Sequence, residues 1–480
     1  MNAPGDLELA IRGGTVVTAT DSFRADIGIS DGRIVRLATA IKDARRTIEA
    51  DGLLVLPGGI DAHCHLAQTH AGGNRSADDF ESGTISALCG GTTTIMPFAI
   101  QQTGQPLRQT VEAYRAQADG KAAIDYAIHL ILTETTPQVL GQDLPALIRD
   151  GYTSFKLFMT YDGFRLDDGQ ILEIMALARR EGALVMVHAE NHHCVSWMSD
   201  RLVASGRTAP KYHATSRPMA VEREATHRAI SLAEIADVPV FLVHVSAREA
   251  AEQIAWARDR GLAVYGETCP QYFALTEADL DRPGFEGAKF VCSPPPRDAA
   301  NPDALWLALK LGTLQVVSSD HSPSRFDDPR GKKIHGENAP FTKIPNGIPG
   351  LETRMALTWS EGVAKGRITE NQFVAMTATA PAKIYGLGGT KGSIAIGADA
   401  DLVLWDPQRR TTIANAMLHH NVDYTPYEGF DVTGWPVMTI ARGELVWKDG
   451  ELLARPGRGR FLACGRPGPL RQLQERADAP

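Results

Sequence analysis

The sequence predicts an α/β protein, in which a (β/α)8 TIM-like barrel is joined to a smaller β-sandwich domain built from both chain ends. Eight short apolar runs rich in β-branched residues occur between residues 53 and 323, and amphipathic helical patterns separate several of them. The runs are continuously apolar, as parallel strands covered by helices are. The two ends instead show short strands with Gly and Asp turns and no long helix. An open doubly wound sheet is the alternative fold.

The predicted barrel strands alternate with helices. In chain order the strands are LLVLPGGIDAHCHL, GTTTIMPFA, DYAIHLIL, YTSFKLFM, ALVMVHAE, VPVFLVHVS, LAVYGETCP and LQVVSSDHSP. Within residues 170–181, apolar side chains recur at helical spacing from Ile171 to Ala178, and Gly182 is placed to end that helix. The pattern AREAAEQIAWARDRG predicts another helix, ending at Gly261.

These patterns divide the chain into three parts. Residues 1–55 and 391–462 are expected to form the β-sandwich domain, and residues 56–390 the barrel, which would be the catalytic domain. Residues 463–480 mix Pro, Gly and charged side chains. We expect them to form an arm that is extended or frayed unless a partner subunit orders it.

Composition limits the classes of partner. The chain has 480 residues and a formal net charge of -8, which argues against nucleic-acid or acidic-membrane partners because both require clustered Lys and Arg. The start, MNAPGDLELAIRGG, has neither a basic nor an apolar leader segment, and no apolar run approaches the length of a membrane span. The six cysteines show no C-x-x-C spacing, as expected of reduced thiols. We therefore expect a soluble, cytoplasmic protein, and a small, neutral or uncharged substrate remains open.

Chemistry-bearing side chains lie at the ends of the predicted strands. His63 and His65 share one face of an extended strand while Cys64 points to the other, although a His-x-His pair alone is more often two ordinary hydrogen-bonded imidazoles. Further strand ends carry Lys156, His188, His244 and Asp320. In a parallel barrel the carboxyl ends of the strands meet on one rim. The sequence therefore predicts that all six side chains converge.

The composition of this set indicates a metal centre. Imidazole and carboxylate are the usual ligands of catalytic zinc, and these are too many for one tetrahedral ion, which suggests two ions. Lys156 as an ammonium would repel a cation, and it could instead be an ordinary salt-bridge lysine. A neutral buried amine can add carbon dioxide, however, and the resulting carbamate could bridge two metals as a carboxylate does.

Several motifs carry a family resemblance that runs from about Leu7 to Leu462. GGIDAHCHL, SFKLFMTYDGF, VHAEN, LVHVSAREA, GETCPQY, VCSPPPR, SSDHSP and KIPNGIPG resemble those of the hydantoinase and dihydropyrimidinase branch of the amidohydrolase superfamily. The resemblance implies two zinc ions bridged by N6-carboxylated Lys156. One ion would be held by His63, His65, Lys156 and Asp320, the other by Lys156, His188 and His244.

The resemblance also implies a reaction and its residues. The enzyme would open hydantoin or dihydropyrimidine rings by metal-hydroxide attack on the ring amide, giving N-carbamoyl amino acids. Asp320 would carry the proton, Tyr161 would help to hold the oxyanion, and the backbone at Ser293 and Asn346 would hydrogen-bond the ring. A homo-oligomer, dimer or tetramer, is expected on the same ground.

Other members of the superfamily remain alternatives. An allantoinase- or dihydroorotase-like enzyme is one, but dihydroorotases usually carry an arginine two residues after the second histidine, where this chain has Ala67. Hydantoinases often carry an acidic residue at this position, in a loop that lines the pocket for the substrate's side chain in relatives. Ala67 and Gln68 therefore leave the preferred ring substituent open. Cys64 stands where threonine is common. A non-catalytic dihydropyrimidinase-related assembly protein is the other alternative, although such proteins have lost metal ligands that this chain keeps.

The remaining polar candidates are expected to have surface or structural roles rather than catalytic ones. His192, His193 and His213 are expected to be surface or subunit-contact residues, and His321 to orient a loop or to have no chemical role. Glu267 could brace a metal ligand, or be a buried acid satisfied by backbone amides.

Overall fold

The structure, a computed structural model, describes residues 7–69 and 73–477, with side chains described as far as residue 472. The strands are β1 Leu9–Arg12, β2 Thr15–Val17, β3 Ser22–Arg24, β4 Asp26–Ser30, β5 Arg33–Ala38, β6 Arg46–Glu49, β7 Leu54–Pro57, β8 Gly59–Cys64, β9 Thr92–Ile100, β10 Asp125–Tyr126, β11 His129–Ile131, β12 Ser154–Phe158, β13 Leu184–His188, β14 Val240–Leu242, β15 Val264–Thr268, β16 Val316–Val317, β17 Leu402–Thr412, β18 Asp431–Ala441, β19 Glu444–Lys448 and β20 Glu451–Leu452.

The α-helices are α1 Phe80–Cys89, α2 Leu107–Ala118, α3 Leu144–Arg149, α4 Asp168–Glu181, α5 His192–Ala204, α6 Tyr212–Thr215, α7 Met219–Ile235, α8 Arg248–Asp259, α9 Pro270–Ala274, α10 Asn301–Lys310, α11 Arg354–Thr358, α12 Glu370–Val374, α13 Ala380–Ile384 and α14 Gly468–Ala477. Shorter 3-10 and π-helical segments occupy Val139–Asp143, Glu277–Asp281, Glu286–Phe290, Phe341–Lys343, Trp359–Ala364, Ala375–Thr379 and Asn415–Met417.

Strands β8 to β16 form the barrel. Each pairs in parallel with the next along the chain, and β10 and β11 are two pieces of one barrel strand because both pair with β9. The barrel closes where Cys64 bridges to His321 and the main-chain N–H of His65 donates to the carbonyl of His321 at 2.7 Å. The predicted barrel is therefore confirmed, and the alternative of an open doubly wound sheet is wrong.

The two chain ends supply two further sheets. One has the order β5-β4-β1-β6, and the other has the order β20-β19-β18-β17-β7-β2-β3. Apolar side chains of both sheets share one buried core that includes Ile11, Ile27, Val55, Leu402 and Ile440. Burying this face is what joins the two ends of the chain into one sandwich.

The run LLVLPGGIDAHCHL, predicted as one strand, is two. Its first part, β7, pairs antiparallel with β17 in the sandwich, and its second part, β8, is the first barrel strand. The break falls at Gly58, where a Cβ atom would lie 2.1 Å from the hydroxyl of Thr93. Only glycine permits this approach, and the apolar pattern on either side does not reveal it.

Two of the predicted helices are confirmed with their ends. Helix α4 begins with a reciprocal cap between Asp167 and Gln170 and ends at Gly182, which adopts a φ of 87°. Helix α8 ends just before Gly261, which has a φ of 82°.

The expected extended conformation after residue 462 is wrong for much of that segment. Residues 468–477 form helix α14, and Leu470 and the preceding Cys464 are buried. Gly465, Pro467, Gly468 and Pro469 lie at or before the first helical turn, where proline is tolerated. The final residues of the predicted arm, 478–480, lie outside the described residues.

A buried lysine ties the barrel to the sandwich. The Nζ atom of Lys391 lies 2.7 Å from a carboxylate oxygen of Asp125 in β10, 3.0 Å from Asp399 and 2.6 Å from Asp401, which precedes β17. Burial alone would lower the pKa of Lys391, but Asp401, Asp125 and Asp399 raise it above its usual range. The ammonium thus offsets the charge of two buried carboxylates, Asp125 and Asp401, and of the partly buried Asp399.

Replacing Lys391 with methionine should destabilise the protein by about 3–5 kcal/mol, because the buried carboxylate of Asp401 would lose its cation and that of Asp125 would keep only Arg442. Urea unfolding followed by fluorescence measures the change. Lys365→Met is the control, since Lys365 forms an exposed pair with Glu361 one helical turn away, and its loss should cost about 0.5 kcal/mol or less. Equal unfolding midpoints for the two variants would contradict the assigned role.

Candidate metal centre

Four of the six predicted ligands form one cluster at the carboxyl ends of β8, β12 and β16. The Nε2 atom of His63 lies 2.8 Å from the Nζ atom of Lys156 and 3.2 Å from Oδ1 of Asp320. The Nε2 atom of His65 lies 3.4 Å from the same carboxylate oxygen. All four residues are buried.

The other two predicted ligands face each other beside this cluster. The Nδ1 atom of His188, at the end of β13, lies 2.9 Å from Nε2 of His244, which follows β14. The rings of His63 and His244 are 5.3 Å apart between centroids. The structure therefore brings together every side chain that the strand-end argument selected.

Hydrogen bonds on the far side of each ring fix where its proton lies. His63 donates from Nδ1 to Glu267, and His65 donates from Nδ1 to Oε1 of Gln68 at 3.0 Å. Gln68 is itself held, because its amide donates to the carbonyl of Phe98 at 2.7 Å. In its neutral form, each of these imidazoles then has an unprotonated Nε2 atom that points into the cluster.

The same arrangement holds on the other side of the cluster. His188 donates from Nε2 to Oε2 of Glu190 at 2.7 Å, so its Nδ1 atom presents a lone pair to Nε2 of His244. Burial alone would raise the pKa of Glu190, but Arg217 and His188 hold it below its usual range. Glu190 is therefore ionised, and it accepts the hydrogen bonds from His188 and Arg217.

Lone pairs converge on the centre of the cluster. His63 and His65 turn theirs toward a carboxylate oxygen of Asp320, an arrangement of acceptors facing acceptors that is unfavourable without a positive charge between them. Imidazole nitrogen and carboxylate oxygen are donors that divalent zinc accepts. The described residues therefore fit metal ions at this position.

Lys156 is the unusual member. Its side chain is buried, and burial lowers the pKa of its amine to about 8. The lowered pKa gives a larger neutral fraction than an exposed lysine has, and the neutral amine carries a lone pair with which it can react. This is the property that carbamate formation with carbon dioxide requires.

A cavity of about 350 Å³ opens onto the cluster. The polar groups Tyr161, Ser293 and Asn346 line it beside the metal-ligand candidates, and apolar side chains such as Ile100 and Phe164 line it as well. This volume suits a small ring with a substituent. The structure thus brings the three predicted substrate contacts to one cavity.

Tyr161 lines this cavity with its phenol ring. Burial raises the pKa of Tyr161, so its phenol remains protonated near neutral pH. The Arg217 guanidinium lies 5.5 Å from the ring centroid and also donates to Glu190 at 2.6 Å. Tyr161 and His188 are therefore supported by one buried network.

Three residues of the centre adopt left-handed backbone conformations. The φ angles are 75° for Tyr161, 39° for His244 and 48° for Asp320. None is glycine, so each conformation is sterically costly and is held by its surroundings.

Several supporting residues were not predicted from the sequence. Gln68 accepts from His65, three residues earlier, but it is anchored by the distant carbonyl of Phe98, and Arg217 reaches Glu190 across 27 residues. Glu190 had a signal, since it follows His188 by two residues in the quoted motif VHAEN. In the loop expected to influence the substituent, Gln68 and Asn74 line the cavity, whereas residues 70–72 lie outside the described residues.

The prediction for His213 is wrong. This residue is buried, and its Nε2 atom donates to the carbonyl of Cys292 at 2.8 Å and lies 3.2 Å from the Ser293 hydroxyl. The short helix α6 turns it inward against a segment some eighty residues further along the chain. His192 and His193 are partly or fully exposed, as predicted for surface residues.

Two open alternatives are resolved by contacts. Glu267 does both things considered for it, because it accepts from the ring of His63 and from the main-chain N–H of His244 at 3.3 Å. His321 orients loops. It donates to Asp78 at 3.1 Å and accepts from the main-chain N–H of Gly350 at 3.2 Å.

Comparison with known proteins agrees with this geometry. The model of the amidohydrolase family matches residues 54–446. A D-hydantoinase from Geobacillus stearothermophilus is 46% identical over 468 residues, covering 97% of this chain and 98% of the relative. The chain belongs to the hydantoinase branch of the amidohydrolase family.

Further relatives cover almost the whole chain. A D-hydantoinase from Ralstonia pickettii is 45% identical over 95% of this chain and 98% of its own length. The crystal structure of dihydropyrimidinase from Brevibacillus agri NCHU1002 superimposes with a TM-score of 0.92 at 43% identity, covering 95% of this chain and 99% of that one. The predicted family, barrel architecture and class of enzyme, a hydrolase of cyclic amides, are confirmed.

Proposed function

We propose that this amidohydrolase opens hydantoin or dihydropyrimidine rings and releases N-carbamoyl amino acids. The observation that carries the proposal is one cavity in which five metal-ligand candidates meet Tyr161, Ser293 and Asn346, with the sixth, His63, directly behind Lys156. The chain is 46% and 45% identical to two proteins named D-hydantoinase, so we expect the D-form at the ring carbon that bears the substituent.

We propose two Zn2+ ions as the cofactor. His63, His65, Asp320 and carboxylated Lys156 would hold one, and the same carbamate with His188 and His244 would hold the other. Such a pair of ions would supply hydroxide near neutral pH and would polarise a ring carbonyl. The converging lone pairs and the lowered pKa of the Lys156 amine support this assignment.

Asp320 is the proposed proton carrier. Asp320 lines the cavity, and its Oδ1 atom lies 3.2 Å from Nε2 of His63 and 3.4 Å from Nε2 of His65. In this proposal its carboxylate accepts a proton from the attacking water. It then delivers that proton to the ring nitrogen as the amide bond breaks.

Tyr161, Ser293 and Asn346 bind the substrate in this proposal. The Tyr161 hydroxyl donates to the carbonyl oxygen as negative charge develops there, which lowers the barrier to attack. Main-chain groups at Ser293 and Asn346 hydrogen-bond the ring and place the scissile amide over the ligand cluster.

The remaining expectations stay predictions. The proposed partner is a small cyclic amide, and we expect a homo-oligomer, either a dimer or a tetramer. Exposed Trp197 and Trp256 are aromatic side chains of the kind enriched at subunit contacts. Cytoplasmic location also stays a prediction. No helix among the described residues is long and apolar enough to cross a membrane.

The deciding experiment is a hydrolysis panel with purified protein supplied with zinc and bicarbonate. The panel contains dihydrouracil, 5-substituted hydantoins of both hands, dihydroorotate and allantoin. Turnover of hydantoins or dihydrouracil is expected. Turnover of dihydroorotate or allantoin alone would contradict the proposal in favour of the corresponding alternative, and an inert protein that binds no metal would favour the non-catalytic alternative.

Lys156→Ala should lose bound metal and activity together, because the bridging group is gone. Elemental analysis of the purified protein and the hydantoin assay measure the two effects. Lys343→Ala is the control, since Lys343 is exposed on a neighbouring cavity. Full activity of Lys156→Ala would exclude the bridged centre.

Asp320→Asn should lower kcat by about a hundredfold or more, the usual contribution of a general acid-base group. The circular dichroism spectrum should stay unchanged. Asp162→Asn is the matched control, because Asp162 lines the same cavity with an exposed carboxylate. Equal kcat values for the two variants would remove Asp320 from proton transfer.

A further inference from the structure

Lys332 is a buried lysine outside the metal cluster. It lies on the long loop that follows Asp320, and only 1% of its surface is exposed. Its Nζ atom donates to three main-chain carbonyls, those of Val291 at 3.0 Å, Pro345 at 2.7 Å and Gly347 at 2.7 Å. An ammonium has three N–H donors, so these carbonyls satisfy all of them.

The three carbonyls belong to the two segments that carry the proposed ring contacts. Val291 stands two residues before Ser293, while Pro345 and Gly347 flank Asn346 on either side. The segments are also joined directly, because the N–H of Gly347 donates to the carbonyl of Val291 at 3.0 Å. Lys332 therefore sits where both segments meet, without touching the cavity itself.

We propose that Lys332 is a positioning residue that holds residues 291–293 and 345–347 in register, so that both present their main-chain groups to one substrate ring. This inference rests on the proposed function, since it deepens the role given there to Ser293 and Asn346. The positioning acts on ring binding. The metal cluster and the proton carrier are held by other contacts.

The cost of burying this ammonium supports a specific role. Burial lowers the pKa of Lys332 to about 7, so the charged form is expensive at this place. All three hydrogen bonds described for its ammonium go to carbonyl oxygens. A methionine of similar length would fill the space but leave those carbonyls without their donors.

The adjacent lysine offers a matched control. Lys333 points to the surface, where its Nζ atom pairs with Asp327 at 2.8 Å and Glu337 at 2.6 Å. Lys333→Met removes the same chemical group one residue away without touching the two segments. Lys332→Met and Lys333→Met are therefore compared with the wild-type enzyme, each loaded with zinc.

For Lys332→Met we expect KM for a 5-substituted hydantoin to rise about tenfold, the equivalent of one neutral hydrogen bond, with little change in kcat. Bound zinc should stay at the wild-type level. Hydrogen exchange followed by mass spectrometry should show faster exchange in peptides covering residues 291–293 and 345–348. Lys333→Met should match the wild type in all of these measurements.

Several results would overturn the proposal. These are a KM equal to that of Lys333→Met, unchanged exchange in both peptides, or a parallel loss of kcat and zinc, which would indicate a role in the metal centre or the whole fold. If Lys332→Met does not fold, it is replaced by Lys332→Gln, which keeps two N–H donors. The same comparisons of KM and of hydrogen exchange with Lys333→Met then decide whether Lys332 positions the two segments.

The proposed function can fail separately. It fails if the wild-type enzyme opens no ring of the panel, whereas the exchange comparison still decides whether Lys332 holds the two segments together.

Discussion

The hydrogen bond between the main chains of His65 and His321 is the contact on which the centre depends. It closes the barrel between its first and last strands, at the end where both strands carry ligand candidates. Without closure, His63 and His65 would lie on one edge of a sheet and Asp320 on the other. The 3.2 Å approach of His63 to Asp320 is thus a result of strand pairing as much as of side-chain chemistry.

With the barrel rim closed, the residues that hydrogen-bond the histidine ligand candidates determine which ring nitrogens face the cluster. Glu267, Gln68 and Glu190 each accept a hydrogen bond from one ring nitrogen of a different histidine. This turns the other ring nitrogen toward the cluster. Gln68 is notable because a neutral amide fulfils the task that carboxylates fulfil for the other two rings. His65 is therefore oriented without adding a further negative charge to the cluster.

The strand-end residues could be predicted from sequence because two local rules locate them. Side chains alternate along a strand, and parallel strands end on one rim, so His63, His65 and His188 follow from position alone. Supporting contacts obey no such rule. Arg217 meets Glu190 across 27 residues, and His213 meets Cys292 across 79.

The misjudged parts of the fold have a similar origin. One apolar run is divided between two domains at Gly58, where the side chain of Thr93 in β9 leaves no room for a Cβ atom. Helix α14 depends on burial of Leu470, which the polar composition of that segment conceals. In both cases tertiary packing overrides the local structure that the sequence pattern favours.

The left-handed backbone at Tyr161, His244 and Asp320 sets a limit on how stable this protein can become. Each such conformation costs on the order of 1–3 kcal/mol. Glycine would relieve the strain at all three positions, but it would remove a hydroxyl, an imidazole and a carboxylate from the cavity. Engineering for heat resistance should therefore leave these turns strained and seek its gains far from the barrel rim.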